Sequence, residues 1–322
     1  MPDVVITEFM DPAGIEILTR AFDTRYDPDL VGKPDALAAL LGGCRGLVVR
    51  NRTRVDEALL ARAPRLAVVG RLGVGLDNID LKACRARGVP VLPATGANEV
   101  SVAEFTMGAI LVMLRGGAYH ANAEVLAGNW PRTKMIGREA QGLTLGLLGF
   151  GAIARQVARR ASVFGMRVLA ADPFVAAADP CWKEYGIERA EFPDFLSRID
   201  ILSVHTPLTP TTRGALDAAA LARLPKGAYL INTARGEIVV EKALADALRS
   251  GHLAGATIDV FAEEPFPAGS LYVGVPNLVL SPHVSGVTAE SNRRISTLVA
   301  ENVRRFLKDE KPIVADAAAN AK

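Results

Sequence analysis

Cysteine, aromatic side chains and long apolar runs are scarce in this sequence, and neither sign of charge dominates it. Three cysteines in 322 residues, Cys44, Cys84 and Cys181, are odd in number and lack metal-ligand spacing, so neither a disulfide framework nor a metal site is expected. They read as reduced, partly buried thiols of a cytoplasmic protein. No apolar run approaches the about 18 residues of a membrane span, and residues 1–6 carry no basic region ahead of an apolar one, so no membrane partner and no signal peptide are expected. The 37 basic and 35 acidic residues nearly cancel, without the basic tail or patch that would grip nucleic acid.

Half of the residues are hydrophobic, and the length exceeds what one core usually organises, so two domains are expected. Apolar runs at 4–9, 46–50, 66–72 and 89–93 read as strands, and 14–22 and 55–62 as helices between them. Such alternation implies an α/β fold, a parallel sheet covered by helices on both faces. Asn98 is expected to cap a helix over 100–114, too apolar for a one-sided surface helix, which would cross between domains or lie at a subunit contact. Residues 116–141 read as loop. Further strands follow at 167–171, 201–205, 229–233, 257–261 and 278–281. A long amphipathic helix over 288–307 is expected to return to the first domain, giving a discontinuous domain of 1–97 plus 290–322 around a second of 98–289. The alanine-rich tail, 315–322, is expected to fray.

The second domain opens on the motif Gly149-Phe-Gly151-Ala152-Ile153-Ala154, between an apolar run and residues with helical periodicity. Gly149 permits a sharp turn, Gly151 leaves backbone bare for a pyrophosphate, and Ala154 lets helix and strand approach. The following strand ends in Asp172, twenty-three positions past Gly149, where a carboxylate accepts from a ribose diol and repels a 2′-phosphate. The expected cofactor is therefore NAD, against the plainer reading of a packing turn. A second loop, Gly73-Val74-Gly75, has no such acid behind it; it reads as a backbone cradle for a small anion, with Arg71 beside it, or as a simple turn.

The later strands end in His205-Thr206-Pro207, Asn232-Thr233-Ala234-Arg235, Asp259 and Ser281-Pro282-His283, and strand ends of a parallel sheet converge on one crevice. Reducing a carbonyl with nicotinamide requires a proton donor and a cation to polarise the substrate. His283, with Glu264 in the preceding connection, is the expected acid/base, because a carboxylate favours the protonated imidazole. Arg235 is the expected clamp for a substrate carboxylate, its planar fork meeting two oxygens. Structural roles for both, as a paired histidine and a surface ion pair, are the alternatives. His205 reads as lining the cofactor rather than moving protons.

These stretches together resemble the D-isomer-specific 2-hydroxyacid dehydrogenase family over nearly the whole chain. The resemblance implies a Rossmann NAD domain inserted into a discontinuous flavodoxin-like substrate or lid domain. It implies catalytic Arg235, Glu264 and His283, and cofactor contacts from Ala152, Ile153, Asp172, Thr206, Thr233, Ala234, Asp259 and Gly286. A homodimer through the NAD domain is also implied. The substrate positions of phosphoglycerate-type members fall on Arg50, Arg71, Gly73, Val74, Gly75 and Arg132, and Arg52 adds a cation. Several arginines favour a substrate with a second anion besides its carboxylate.

Val284-Ser-Gly-Val287 after the histidine, and the lack of an expected regulatory extension, depart from the phosphoglycerate pattern and resemble sulfolactate dehydrogenases. Glyoxylate/hydroxypyruvate reductase and an NAD-sensing corepressor are further readings. Glu264 speaks against a formate dehydrogenase, which carries an amide there.

Overall fold

The computed structural model describes residues 1–314, 316 and 317. In chain order the elements are β1 (Val4–Ile6), α1 (Pro12–Thr19), β2 (Thr24–Tyr26), α2 (Pro34–Leu41), β3 (Gly46–Val49), α3 (Glu57–Arg62), β4 (Val68–Arg71), α4 (Leu81–Ala86) and β5 (Val91–Pro93). Then come α5 (Glu99–Leu114), α6 (Asn122–Leu126), β6 (Thr144–Leu148), α7 (Ala152–Val163), β7 (Arg167–Ala171), α8 (Cys181–Glu184) and β8 (Glu188–Arg189). The chain finishes with β9 (Ile201–Val204), α9 (Ala218–Ala222), β10 (Ala228–Asn232), α10 (Glu241–Arg249), β11 (Leu253–Ile258), β12 (Leu278–Leu280) and α11 (Ala289–Leu307). They divide into two compact units, Met1–Asn98 with the stretch from Val287 onward, and Glu99–Gly286.

The first unit holds five parallel strands in the order β2-β1-β3-β4-β5. Alternate side chains point to opposite faces of a strand, and both faces here are buried, as a parallel sheet requires. Val5, Leu47, Val49 and Val69 pack with Leu37, Leu41 and Leu60 of α2 and α3. Val4, Ile6, Val48 and Val68 pack on the other face with Val299 and Val303 of α11. A Cβ at Gly70 would lie 2.7 Å from both of those valines, so α11 rests directly on β4. Each valine is fully buried, a placement that contributes about 1.5–3 kcal/mol per side chain. The helix starts on a reciprocal cap between Thr288 and Ser291.

The second unit holds seven parallel strands in the order β12-β11-β10-β9-β6-β7-β8. From β6 the chain steps outward to β8 and then returns to β9 on the other side of β6, so the strand order reverses between β6 and β9. In the first sheet the same reversal falls between β1 and β3. Ligands of doubly wound sheets collect at the carboxyl ends beside such a reversal.

Several expectations are corrected. Several strands end before their apolar runs do, where the polar crevice residues begin; β4 and β5 also start two residues late, and β11 starts four residues earlier than expected. Residues 116–141 are not simply loop: they carry α6 and 3-10 turns at Ala118–His120 and Arg132–Met135. The side-chain oxygen of Asn98 is buried without a hydrogen bond and so does not cap α5. That helix is apolar because Ala103, Met107, Ile110 and Leu114 enter the core of the second unit beside Val157 and Ala161 of α7. The tail does not fray at its described part: the Asp316 carboxylate accepts from the Val91 N–H at 2.8 Å, and the Ala317 N–H donates to the Val91 carbonyl at 2.9 Å. Residues 315 and 318–322 lie outside the described residues.

Candidate active site

Gly149, just past β6, has φ +93°, and a Cβ there would stand 2.8 Å from the backbone of His205 at the end of β9. Only glycine serves both the left-handed conformation and the close approach of these strand ends. A Cβ at Gly151, in contrast, would meet nothing within 4 Å, so open space faces this backbone. Gly151 caps α7 without a side-chain bond, leaving the first amides of the helix without a side-chain partner at its positive end. Ala154 is fully buried against the sheet. Asp172 accepts the Phe150 and Phe174 N–H groups, each at 2.8 Å, one on each oxygen, and each oxygen keeps a further lone pair for a ribose hydroxyl. The buried Thr233 hydroxyl oxygen lacks a partner. Bare backbone, open helix amides, an acid and an unmatched hydroxyl fit a dinucleotide.

His205 points its Nε2 at the Ser203 hydroxyl, 2.8 Å away. Burial pushes its pKa down to about 4, so the ring is neutral at pH 7 and is no proton donor. Thr206 is half-buried and Pro207 exposed where the chain leaves β9.

The structure joins His283 to Glu264: Nδ1 lies 2.8 Å from Oε2. Burial by itself would raise Glu264, but the hydrogen bond and charge of His283, the Phe261 N–H and the field of Arg235 outweigh it and hold its pKa below the usual carboxylate value. Glu264 takes the Phe261 N–H on its other oxygen at 3.1 Å. His283 sits in the left-handed region, at φ +56°, which costs a non-glycine residue about 1 kcal/mol or more. The surroundings impose it: the His283 N–H donates to the Asp259 carbonyl at 2.8 Å.

Asp259, expected to touch the cofactor, has zero exposure and braces a loop. Its carboxylate accepts from the Ser281 hydroxyl at 2.6 Å and from the Val284 and Ser285 N–H groups at 2.8 and 2.9 Å, bracing the loop that carries His283. Arg235 is aimed in a similar way. The Asn232 side chain bonds the Arg235 carbonyl at 2.8 Å and the Ala234 N–H at 3.0 Å, while the Arg235 guanidinium returns to the Ala234 carbonyl at 2.5 Å. A Cβ on the next residue, Gly236, would fall 1.9 Å from the Phe261 backbone, so glycine lets this turn close on the segment leading to Glu264. Gly286 ends the unit, two residues beyond the exposed Val284.

In the first unit, Arg50 follows β3. Its guanidinium donates to Asn292 Oδ1 at 3.1 Å and lies 5.8 Å from the centroid of the Phe9 ring. Burial lowers its pKa, and the neighbouring Glu8 charge opposes that shift. Arg71, expected beside the glycine loop, is 9% exposed and folds back to the Leu72 carbonyl at 2.7 Å. Its Nη1 occupies the space that a Cβ on Gly73 would fill, 1.9 Å away, at a glycine with φ +148°. Val74 is exposed, Gly75 half-buried. Arg132 is exposed in its 3-10 turn. Neither Asp259 as a brace, Asn292 nor Glu8 was legible as such, since their partners are distant in sequence; Asn232, whose partners are two and three residues on, carries a local signal that the sequence reading passed over.

Among the described residues no group of three or more His, Cys, Asp or Glu side chains is placed to hold a metal. No helix of the described residues is long and apolar enough to cross a membrane.

Residues 107–285 match the family described as D-isomer specific 2-hydroxyacid dehydrogenase, NAD binding domain. The chain is similar to the (S)-sulfolactate dehydrogenase of Chromohalobacter salexigens, 54% identical over 95% of this chain and 99% of that protein. It is also similar to the D-3-phosphoglycerate dehydrogenase of Mycobacterium leprae, 41% identical over 96% of this chain, but it spans only 58% of that protein's length. A solved Thermus thermophilus protein superposes with a TM-score of 0.86 at 32% identity, covering 96% of this chain and 98% of its own.

Proposed function

The chain belongs to the D-isomer specific 2-hydroxyacid dehydrogenase family, an NAD-binding group of oxidoreductases acting on CH–OH groups, and on that premise we propose that it interconverts a sulfonate-tailed 2-hydroxy acid, (S)-sulfolactate or a close analogue, with its 2-keto acid. The observation that carries this reading is the 2.8 Å pairing of His283 Nδ1 with Glu264, both within one unit that also holds the braced Arg235.

With its Nδ1–H given to Glu264, the imidazole keeps the Nε2 lone pair for the 2-hydroxyl proton. Bound NAD would supply the hydride acceptor for C2. Glu264, charged at neutral pH, steadies the imidazolium that forms. Arg235 grips the substrate carboxylate and polarises the oxygen on C2. In the reverse direction His283 returns the proton. Asp172 selects NAD over NADP by accepting from the ribose diol and repelling a 2′-phosphate. Within the first unit, residues 73–75 are the proposed backbone cradle for an anion, and Arg50 and Arg71 the proposed cations for the tail, Arg71 after its side chain turns out from Leu72.

A sulfonate, like a phosphate, offers three oxygens to such cations. What favours the sulfonate is the full-length likeness to the sulfolactate enzyme and the departure at residues 284–287. The test is a panel of (S)-sulfolactate, D-3-phosphoglycerate, D-glycerate and D-lactate with NAD. Preference for sulfolactate supports the reading; preference for phosphoglycerate replaces the tail by a phosphate, and equal rates with lactate remove the arginine argument.

Part of the second unit leaves large apolar side chains in water, among them Leu126 at 88%, Ile136 at 78% and Trp130 at 74%. Exposed apolar surface of this size favours an interface, and a second copy of the chain is the proposed occupant. Light scattering after size exclusion checks it. The three cysteines are free and buried, which fits the proposed cytoplasmic location.

A further inference from the structure

The carboxyl ends of β1 and β3 flank the point where the first sheet reverses its strand order, the place where a doubly wound sheet usually takes a ligand. In this unit the crevice contains part of the chain itself. Glu8, only 4% exposed, follows β1 and inserts its carboxylate into the loop after β3. One oxygen accepts the N–H groups of Arg50 and Thr53, both at 2.9 Å, and the other accepts that of Arg52 at 3.1 Å. Three converging amides of one loop form an anion-binding concavity, and Glu8 fills it with its own carboxylate.

The loop is held from its other side as well. Asn78 Nδ2 donates to the Arg50 carbonyl at 3.1 Å and to the Thr53 carbonyl at 2.7 Å, and the Thr53 hydroxyl meets that of Thr7 at 2.8 Å. With its backbone so determined, the only freedom left to Arg50 is in its side chain. Asn292, half-buried on α11, takes one end of the guanidinium, and the Phe9 ring lies against it. Because the loop amides are already occupied, a ligand anion arriving here is met by guanidinium and not by backbone.

We propose that Glu8 is a positioning residue for substrate specificity: by occupying the amide nest it fixes the loop from which Arg50 reaches the anionic tail, with Asn292 setting the direction of the guanidinium. A neutral amide in its place keeps the size but presents one acceptor oxygen where the loop has three donors, so the loop loosens and Arg50 loses its aim. The inference rests on the reading of Arg50 as the group that meets the tail.

The test measures kcat/KM with NAD for (S)-sulfolactate and for D-glycerate, which lacks the sulfonate, in wild type, Glu8→Gln and Asn292→Ala. Each variant is expected to lower the sulfolactate-to-glycerate ratio at least five-fold, through a higher KM for sulfolactate. A looser fold alone would depress both substrates together and leave the ratio in place. Should Glu8→Gln fail to fold, Asn292→Ala carries the test, since it leaves the loop backbone bonds intact. A ratio that falls less than five-fold in the folded variants overturns the proposal. A wild type without preference for sulfolactate over glycerate instead overturns the reading of the tail-binding arginines, so the two failures are told apart.

Discussion

The two Gly-x-Gly turns of this chain share a sequence pattern and differ in what surrounds them. At Gly73-Val74-Gly75 the space that a side chain would fill is taken by the protein's own Arg71 guanidinium, and five residues separate Gly75 from the start of α4, which is capped by Asp80. At Gly149-Phe150-Gly151 the first glycine is pressed against the end of β9, the second faces open space, and α7 begins at once without a side-chain cap. The helix cap therefore separates them more clearly than the glycines do. A helix start that already holds an aspartate carboxylate has part of its positive end taken and repels a phosphate, whereas an open one attracts it.

Substitutions at the glycines test this contrast. Gly149→Ala forces an L-residue to φ +93° and a Cβ to within 2.8 Å of backbone, and is expected to cost about 3 kcal/mol or more in a denaturant titration. Gly73→Ala meets the end of a flexible side chain instead, so its expected cost is smaller, about 1–2 kcal/mol. Equal losses at the two sites would erase the distinction drawn here.

Gly151→Ala is the informative third case. Its Cβ enters empty space, so the free energy of unfolding should fall by no more than about 1 kcal/mol, the cost of alanine at an N-cap. The KM for NAD should nevertheless rise about ten-fold, about 1.4 kcal/mol, if pyrophosphate needs that space. Asp172→Ala should lower the preference for NAD over NADP by a similar factor, read from kcat/KM with each cofactor. Undiminished preference would mean that the ribose lies elsewhere.

The smallest effect is expected far from either turn. On α11, Glu301 is held down to about 2 by its hydrogen bond to Arg304, against burial and with help from Arg305. A carboxylate with a lowered folded pKa stabilises fully above its ordinary value of 4.5, and that contribution is lost as pH falls from there towards 2. Glu301→Gln should thus lower the melting temperature by a few degrees at neutral pH and flatten the acid limb of stability over that window. Partial exposure keeps the effect modest.

Most of the fold was legible because buried parallel strands are written as apolar runs and the long helices as periodic ones. Two of the four edge strands were not, since Thr24–Tyr26 and Glu188–Arg189 are short and polar. Residues 116–141 hid α6 because its side chains, Leu126 among them, serve no core of their own unit. In the candidate site, the pairing of His283 with Glu264 was readable from chemical type and from their places after strand ends. Their supports were not: Asp259 acts on a loop 22–26 residues away, and Glu8 on one 42–45 residues away. No local pattern carries a hydrogen bond across that distance. Arg71 was read correctly as sitting beside the glycine loop, but its inward fold depended on a guanidinium finding its own carbonyl.

The account depends most on the imidazole of His283 as the group that exchanges the substrate proton. Its direct measurement is the steady-state rate of NADH formation from (S)-sulfolactate by His283→Asn, with NAD affinity followed separately by fluorescence. A fall of about a thousand-fold in kcat with NAD still bound is predicted. A variant that retains its rate within ten-fold would contradict the assignment.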